Sequence, residues 1–119
     1  MNLNKSDNRI FLLLEEWNEV KEEISIQFKN RDNKNALTPM VKGINIFEQF
    51  LFLCNDRELI NQQESILGFN WKPVNITERL TFIKNKPSLY HSFIQLSELM
   101  NEQEKQYNKK IAIQKMTKH

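Results

Sequence analysis

The chain reads as an all-α protein, one compact domain over residues 1–119 built from four to five helices and ending in a long C-terminal helix. Three observations predict this class. Two glycines and three prolines supply too little turn chemistry for a many-stranded sandwich or barrel. Apolar residues recur at steps of three and four along most of the sequence, the period of one helix face. A length of 119 residues suits a single domain, and no repeat, low-complexity tract or strong boundary divides it.

The first helix is expected from about Asn8 to Phe28, with Ile10, Leu14, Trp17, Val20 or Lys21, Ile24 and Phe28 on its apolar face and Ser6 or Asp7 as its cap. Glu15, Glu16, Glu19, Glu22 and Glu23 cover the outward side, and Lys29–Asn35 reads as a polar loop. Thr38-Pro39 marks the next helix start, because a threonine oxygen accepts an orphan amide and proline has none to lose. From Met40 to Cys54 apolar residues occupy nearly every side, so this helix is expected at the centre of the fold. Asn55-Asp56 ends it, and a short third helix is expected through Arg57–Ser65.

Ile66–Val74 is the least helical stretch, broken by Gly68, Asn70 and Pro73 and pinned by the burial that Phe69 and Trp71 need. A further helix opens at Asn75, where Glu78 follows three residues on as in a capping box. Lys86-Pro87 closes it and starts the last helix, whose seam runs through Leu89, Phe93, Leu96, Met100, Gln103, Tyr107 and Ile111. At about 25 residues or more, that helix is long enough for its end to protrude from the body.

Composition excludes several classes of function. Gly43 and Gly68 stand alone, so there is no glycine-rich phosphate cradle. Cys54 is the sole cysteine, which rules out an intramolecular disulfide and a cysteine-rich zinc site. The longest near-apolar run, Ile44–Cys54, is interrupted by Asn45, Glu48 and Gln49 and falls short of the roughly 20 residues a membrane span needs. With a polar start and a lone thiol, a reducing cytoplasm and no membrane are the expected setting. The net charge of +2 hides an asymmetry: residues 105–119 carry Lys105, Lys109, Lys110, Lys115 and Lys118 with no acid, and the remainder has a net charge of −3.

Two neighbouring stretches are more specific than generic helix. Trp71-Lys72-Pro73-x-Asn75-x-x-Glu78-Arg79-Leu80-x-Phe82-Ile83 is followed by Lys86-Pro87-Ser88-x-Tyr90-His91-Ser92-Phe93-Ile94-Gln95-Leu96-x-Glu98-Leu99. Together they resemble the YpoC-like family, small proteins of low-GC Gram-positive bacteria, over about residues 71–110. The resemblance implies a small cytoplasmic helical protein and brings no catalytic residue or cofactor to carry over. It also implies a gene neighbourhood of a DNA-repair endonuclease and a penicillin-binding protein, which motivates nucleic-acid and cell-wall hypotheses.

The candidate chemistry is sparse. His91 is the catalytic suspect because a histidine side chain can shuttle protons, but its helical neighbours Pro87, Ser88, Ile94 and Gln95 include no carboxylate to orient it and Ser92 lies about 100° around the helix, so a hydrogen-bonded histidine on a helix packing face is the expected reading. Ser88 stands where a bundle metal site would want a glutamate, the Glu98/Glu102 pair reads as a solvated face, and His119 is terminal, so no metal or other cofactor is expected. Trp71, Lys72, Arg79 and His91 form a candidate interaction or anion-binding surface. The competing account has Arg79 pairing with Glu78, Glu98 or a carbonyl and locking two helices together.

Lys105, Lys109, Lys110, Lys115 and Lys118 are the candidate nucleic-acid contacts, nonspecific and salt-sensitive because Tyr107 is the sole aromatic among them. The simpler alternative is a solvated helix end whose lysines meet the negative pole of the dipole. The acidic first helix and basic last helix offer a competing account, in which they meet within one chain or across a homodimer with Leu96, Met100 and Tyr107 buried in the seam; a seam of this length is more often internal core than interface. The leading expectation is a non-enzymatic helical interaction module with a protein partner, ahead of a nucleic-acid accessory protein and, last, an enzyme.

Overall fold

Asp32 starts the element around which the others pack. Its carboxylate accepts from the Asn35 backbone N–H at 3.1 Å and from the Asn35 side chain at 2.6 Å, capping α2 (Asn33–Cys54). In this computed structural model, which describes residues 5–58 and 65–117, α2 follows α1 (Lys5–Lys29) and precedes α3 (Ile76–Asn85) and α4 (Tyr90–Met116). Among the described residues the fold is all-α.

α2 begins more than a turn before Thr38-Pro39. Ala36 is fully buried and donates its N–H to Asp32, so the chain is already helical when it reaches Pro39, which sits inside the helix and not at its start. The loop between α1 and α2 shrinks accordingly to three residues, 30–32, with Arg31 in the left-handed region at φ 56°. α1 likewise begins at Lys5, which places Ser6 and Asp7 within its first turn.

Ile44, Ile46, Phe47, Phe50, Leu51, Phe52, Leu53 and Cys54 are all buried, and at these spacings they point to every side of α2. α1 covers one flank with Ile10, Leu13, Trp17, Val20 and Ile24; Leu13 takes the inward position expected of Leu14, which is half-buried. α4 covers another flank with Phe93, Leu96, Leu99, Met100 and Gln103. α3 lies on α4 and buries Ile76, Leu80 and Ile83. Gly43 lets α1 and α4 approach the same point of α2: a Cβ there would lie 2.9 Å from the Trp17 ring and 3.1 Å from a Leu96 methyl.

The stretch from Ser65 to Asn75 is irregular, as its glycine and proline content requires, and Phe69 packs edge-on against Phe52 at 5.1 Å. The short helix expected through Arg57–Ser65 lies mostly outside the described residues, and Arg57, Glu58 and Ser65 are not helical. Asn75 precedes α3 in the left-handed conformation, φ 56°, and its side chain makes no cap bond, so the capping box does not form. Nor does Pro87 open α4. The Lys86 carbonyl is taken by Leu89 N–H and the Ser92 hydroxyl, which hold a turn there and delay the helix to Tyr90. Leu89, expected on the seam, is therefore exposed at the boundary. At 27 residues α4 is about 40 Å long, and its last turns, Ala112 to Thr117, are exposed as a projecting end.

Replacing Gly43 with alanine should lower unfolding stability by about 1–3 kcal/mol despite alanine's better helix propensity, since the Trp17 ring and Leu96 must be displaced. Gly68→Ala, where an added Cβ meets nothing within 4 Å, should leave the urea midpoint unchanged or slightly raised.

Candidate functional site

The Trp71 segment is fastened by its backbone. Asn55, just past the end of α2, accepts the Trp71 N–H at 2.9 Å and donates to the Trp71 carbonyl at 2.8 Å. Gln103 on α4 donates to the same carbonyl at 2.9 Å, so one peptide unit ties the irregular stretch to both helices. Pro73 is buried, the Trp71 ring is half-buried against the core, and the Lys72 amine donates to the carbonyls of Leu67 and Ile66. Trp71 and Lys72 therefore close the structure over α2 and α4.

Arg79 projects from α3 onto α4. Its guanidinium forms a two-pronged pair with Glu102, one arm at 3.0 Å, and also donates to Gln95 at 3.3 Å and to the Val74 carbonyl at 3.1 Å. Glu98 stands 3.8 Å away. The Glu102 hydrogen bond, reinforced by the charges of Glu102 and Glu98, raises the arginine's pKa further above its usual range. Its positive charge is thus already met by two carboxylates, which leaves little attraction for a phosphate. Gln95 and Glu102 are seven residues apart on α4 and share a face, so the lock holds α3 along two turns.

His91 is exposed at the start of α4, where its ring meets Phe82 edge-on at 5.6 Å. It is not in the packed face expected for it. Lys72 is engaged with its own loop and Arg79 with Glu102, so these residues do not present free cations to a common ligand. Among the described residues no group of three His, Cys, Asp or Glu side chains is arranged to hold a metal ion, and no helix is long and apolar enough to cross a membrane.

The basic end of α4 divides into two kinds of lysine. Lys105, Lys109 and Lys115 are exposed, and Lys118 lies outside the described residues, as does His119. Lys110 is turned inward: its Nζ donates to the Cys54 carbonyl at 2.6 Å and to Asp56 Oδ1 at 3.1 Å. It caps the C-terminal end of α2, where a cation meets the negative pole of the dipole, and is withdrawn from any surface contact. Nearby, the Tyr107 hydroxyl donates to Asp7 at 2.6 Å. Burial pushes the Cys54 thiol up to about 12, and burial together with the Asp7 bond raises Tyr107 above the usual phenol range.

A second surface was not singled out from the sequence. α1 and α4 run antiparallel and meet at two places. Tyr107 reaches Asp7 near one end, and at the other Phe28 contacts Tyr90 at 5.5 Å and stacks on Phe93 at 5.8 Å. Between them opens a groove of about 540 Å³, lined on α1 by Lys21, Ser25 and Ile26 among others and on α4 by Phe93, Ile94 and Ser97. Ile26 and Tyr90 remain about half exposed, at 49% and 58%. The signal that marks this face is the stripe Tyr90–Ile94–Ser97–Asn101–Glu104–Asn108, at helical steps beside the seam.

Comparison with known proteins gives one consistent result. The model of the YpoC-like proteins matches residues 7–115. The Bacillus subtilis (strain 168) protein named "Uncharacterized protein YpoC" is 34% identical over 101 residues, a region covering 82% of this chain and 62% of that relative. The chain thus spans less than two thirds of the relative's length. No solved structure matches the chain.

Lys110→Met should cost about 1–3 kcal/mol in urea denaturation, because the Cys54 carbonyl at the end of α2 loses its donor, whereas Lys109→Met should be neutral. Raised thiol and phenol pKa values mean that the native state holds protons the unfolded chain releases. Their contribution to stability is complete below about pH 9 and is lost as pH rises toward 12. Denaturation across that range should show the decline, and Cys54→Ala should lessen it.

Proposed function

We propose that this chain, which belongs to the YpoC-like family, is a non-enzymatic helical interaction module of the cytoplasm that binds protein through the groove between α1 and α4. The observation that carries the reading is the groove itself, an apolar floor of Phe93 and Ile94 between two antiparallel helices with half-exposed Ile26 and Tyr90 beside it. Facing helices that diverge between two points of contact leave the width for an added amphipathic helix, the usual occupant of such a groove. The surface around Trp71, Lys72 and Arg79 supports the module less well, because those side chains serve the fold.

A second reading keeps the nucleic-acid role for Lys105, Lys109 and Lys115, which are exposed and make no ion pair among the described residues. With Lys110 engaged internally, few phosphate contacts remain, and affinity built on so few would be weak and steeply salt-dependent.

The two readings separate in one pair of measurements. A photo-crosslinking residue at position 94 should give a discrete protein adduct in the host cell, and one at exposed Lys42 should not. Fluorescence anisotropy with single- and double-stranded DNA and RNA should show no binding at physiological salt. Salt-steep binding abolished by changing Lys105, Lys109 and Lys115 to glutamine, with no adduct from the groove, would overturn the protein-binding reading in favour of the second.

A further inference from the structure

We propose that the projecting end of α4 docks on an anionic lipid surface, with Lys105, Lys109 and Lys115 on the headgroups and Ile113 and Met116 entering the boundary of the acyl layer. The site is separate from the α1–α4 groove and does not depend on it. Charge is the first argument. No acid follows Glu104, and Lys105, Lys109 and Lys115 are exposed and make no ion pair among the described residues. The other acids of α4, Glu98 and Glu102, are met by Arg79. Of the acids packed against its far half, Asp56 is held by Lys110, and Asp7, which accepts from Tyr107, shares its turn with exposed Lys5. Glu104 itself lies about 100° around the helix from Lys105. The positive charge of the projecting end is thus largely uncompensated.

Apolar exposure is the second argument. Met116 is 75% exposed and Ile113 40%, and with Ala112 they occupy an arc of about 100° of the helix. Lys109 and Lys105 stand on the same side, one and two turns nearer the body, and Lys115 flanks the arc. Lysine stems can lie along an apolar boundary while their amines stay among the headgroups. A basic helix end that also carries exposed apolar side chains suits the interface of a bilayer. Shape is the third argument. From Lys105 to Met116 the helix offers a convex face of roughly 20 Å by 10 Å, about 200 Å², against the about 800 Å² per partner of a standard protein interface. A protein partner has little to hold there, whereas a lipid surface needs no complementary shape and brings a headgroup to each lysine. Nucleic acid would take up the lysines but leave Ile113 and Met116 in water. Among the described residues no helix is long and apolar enough to cross a membrane, so the contact lies in the plane of the surface.

The test is flotation of the full chain with vesicles of phosphatidylcholine alone and of phosphatidylcholine containing about one third phosphatidylglycerol, at low and physiological salt. Two variants carry it, Lys109→Gln with Lys115→Gln, and Ile113→Ser with Met116→Ser. All four positions are exposed, so circular dichroism should show an unchanged fold. The expected result is salt-sensitive binding to the anionic vesicles alone, weakened about fivefold for each lysine removed and about tenfold by the apolar pair. Absence from anionic vesicles at low salt overturns the proposal. So does anionic binding that the apolar pair leaves unchanged, because the lysines then act as a plain cationic patch. Binding of DNA or RNA that the lysine variant loses, with no flotation, overturns it in favour of nucleic acid. The crosslink at position 94 reports on the groove separately, so the two readings fail independently.

Discussion

The last four carbonyls of α2 have no partners within the helix, and most of that helix end is enclosed by protein. Each carbonyl nevertheless finds a donor. Leu51 receives the Asn55 side chain, Phe52 the Asn55 and Arg57 amides, Leu53 the Asp56 amide, and Cys54 the side chain of Lys110. Asp56 enters the left-handed region at φ 57° to do so, a conformation that aspartate tolerates better than most residues. A buried carbonyl left without a donor would cost about 1–3 kcal/mol. Meeting this requirement draws Lys110 inward and sets Asn55 where it can also grip Trp71, so the closure of α2 governs both the loop and the far half of α4.

At the other focus of packing, Gly43 brings Trp17 and Leu96 close to the α2 backbone. α1 and α4 are each held firmly on α2 there, and their contacts with one another come at Asp7–Tyr107 and around Phe28. The groove follows from this geometry: two helices seated on a common third one need not fill the space between their outer faces. Its walls mix Ile26, Phe93 and Ile94 with small polar residues and with the charged Lys21, Glu22 and Lys29. The proposed function draws on this mixed character.

The polar residues that look most like chemistry serve architecture. Arg79 is satisfied by Glu102 and Gln95, Lys84 reaches the buried Glu48 at 2.8 Å, and Lys110 completes a helix end. Buried polar groups require partners, and once those are supplied from within the fold little donor capacity remains for a ligand. His91 is the exception in being exposed, but its close neighbour is the Phe82 ring and not a carboxylate that would orient its imidazole.

The helical class, the all-round burial of α2, the irregular stretch before Asn75 and the length of the last helix are legible in the amino-acid order. These depend on apolar period and on glycine and proline, which act over a turn or two of chain. Helix starts were less legible. Thr38-Pro39 reads as the start of α2, but Asp32 caps the helix and the burial of Ala36, set by packing, brings the start forward into the stretch that reads as a loop. Which lysines face solvent depends on how the helices pack. Lys109 and Lys110 are adjacent and identical in type, yet a 100° step around α4 sends one to solvent and the other to Cys54, a residue 56 positions away. The α1–α4 groove was hidden for the same reason: it depends on how far two helices diverge, and no local pattern in either helix encodes the distance to the other.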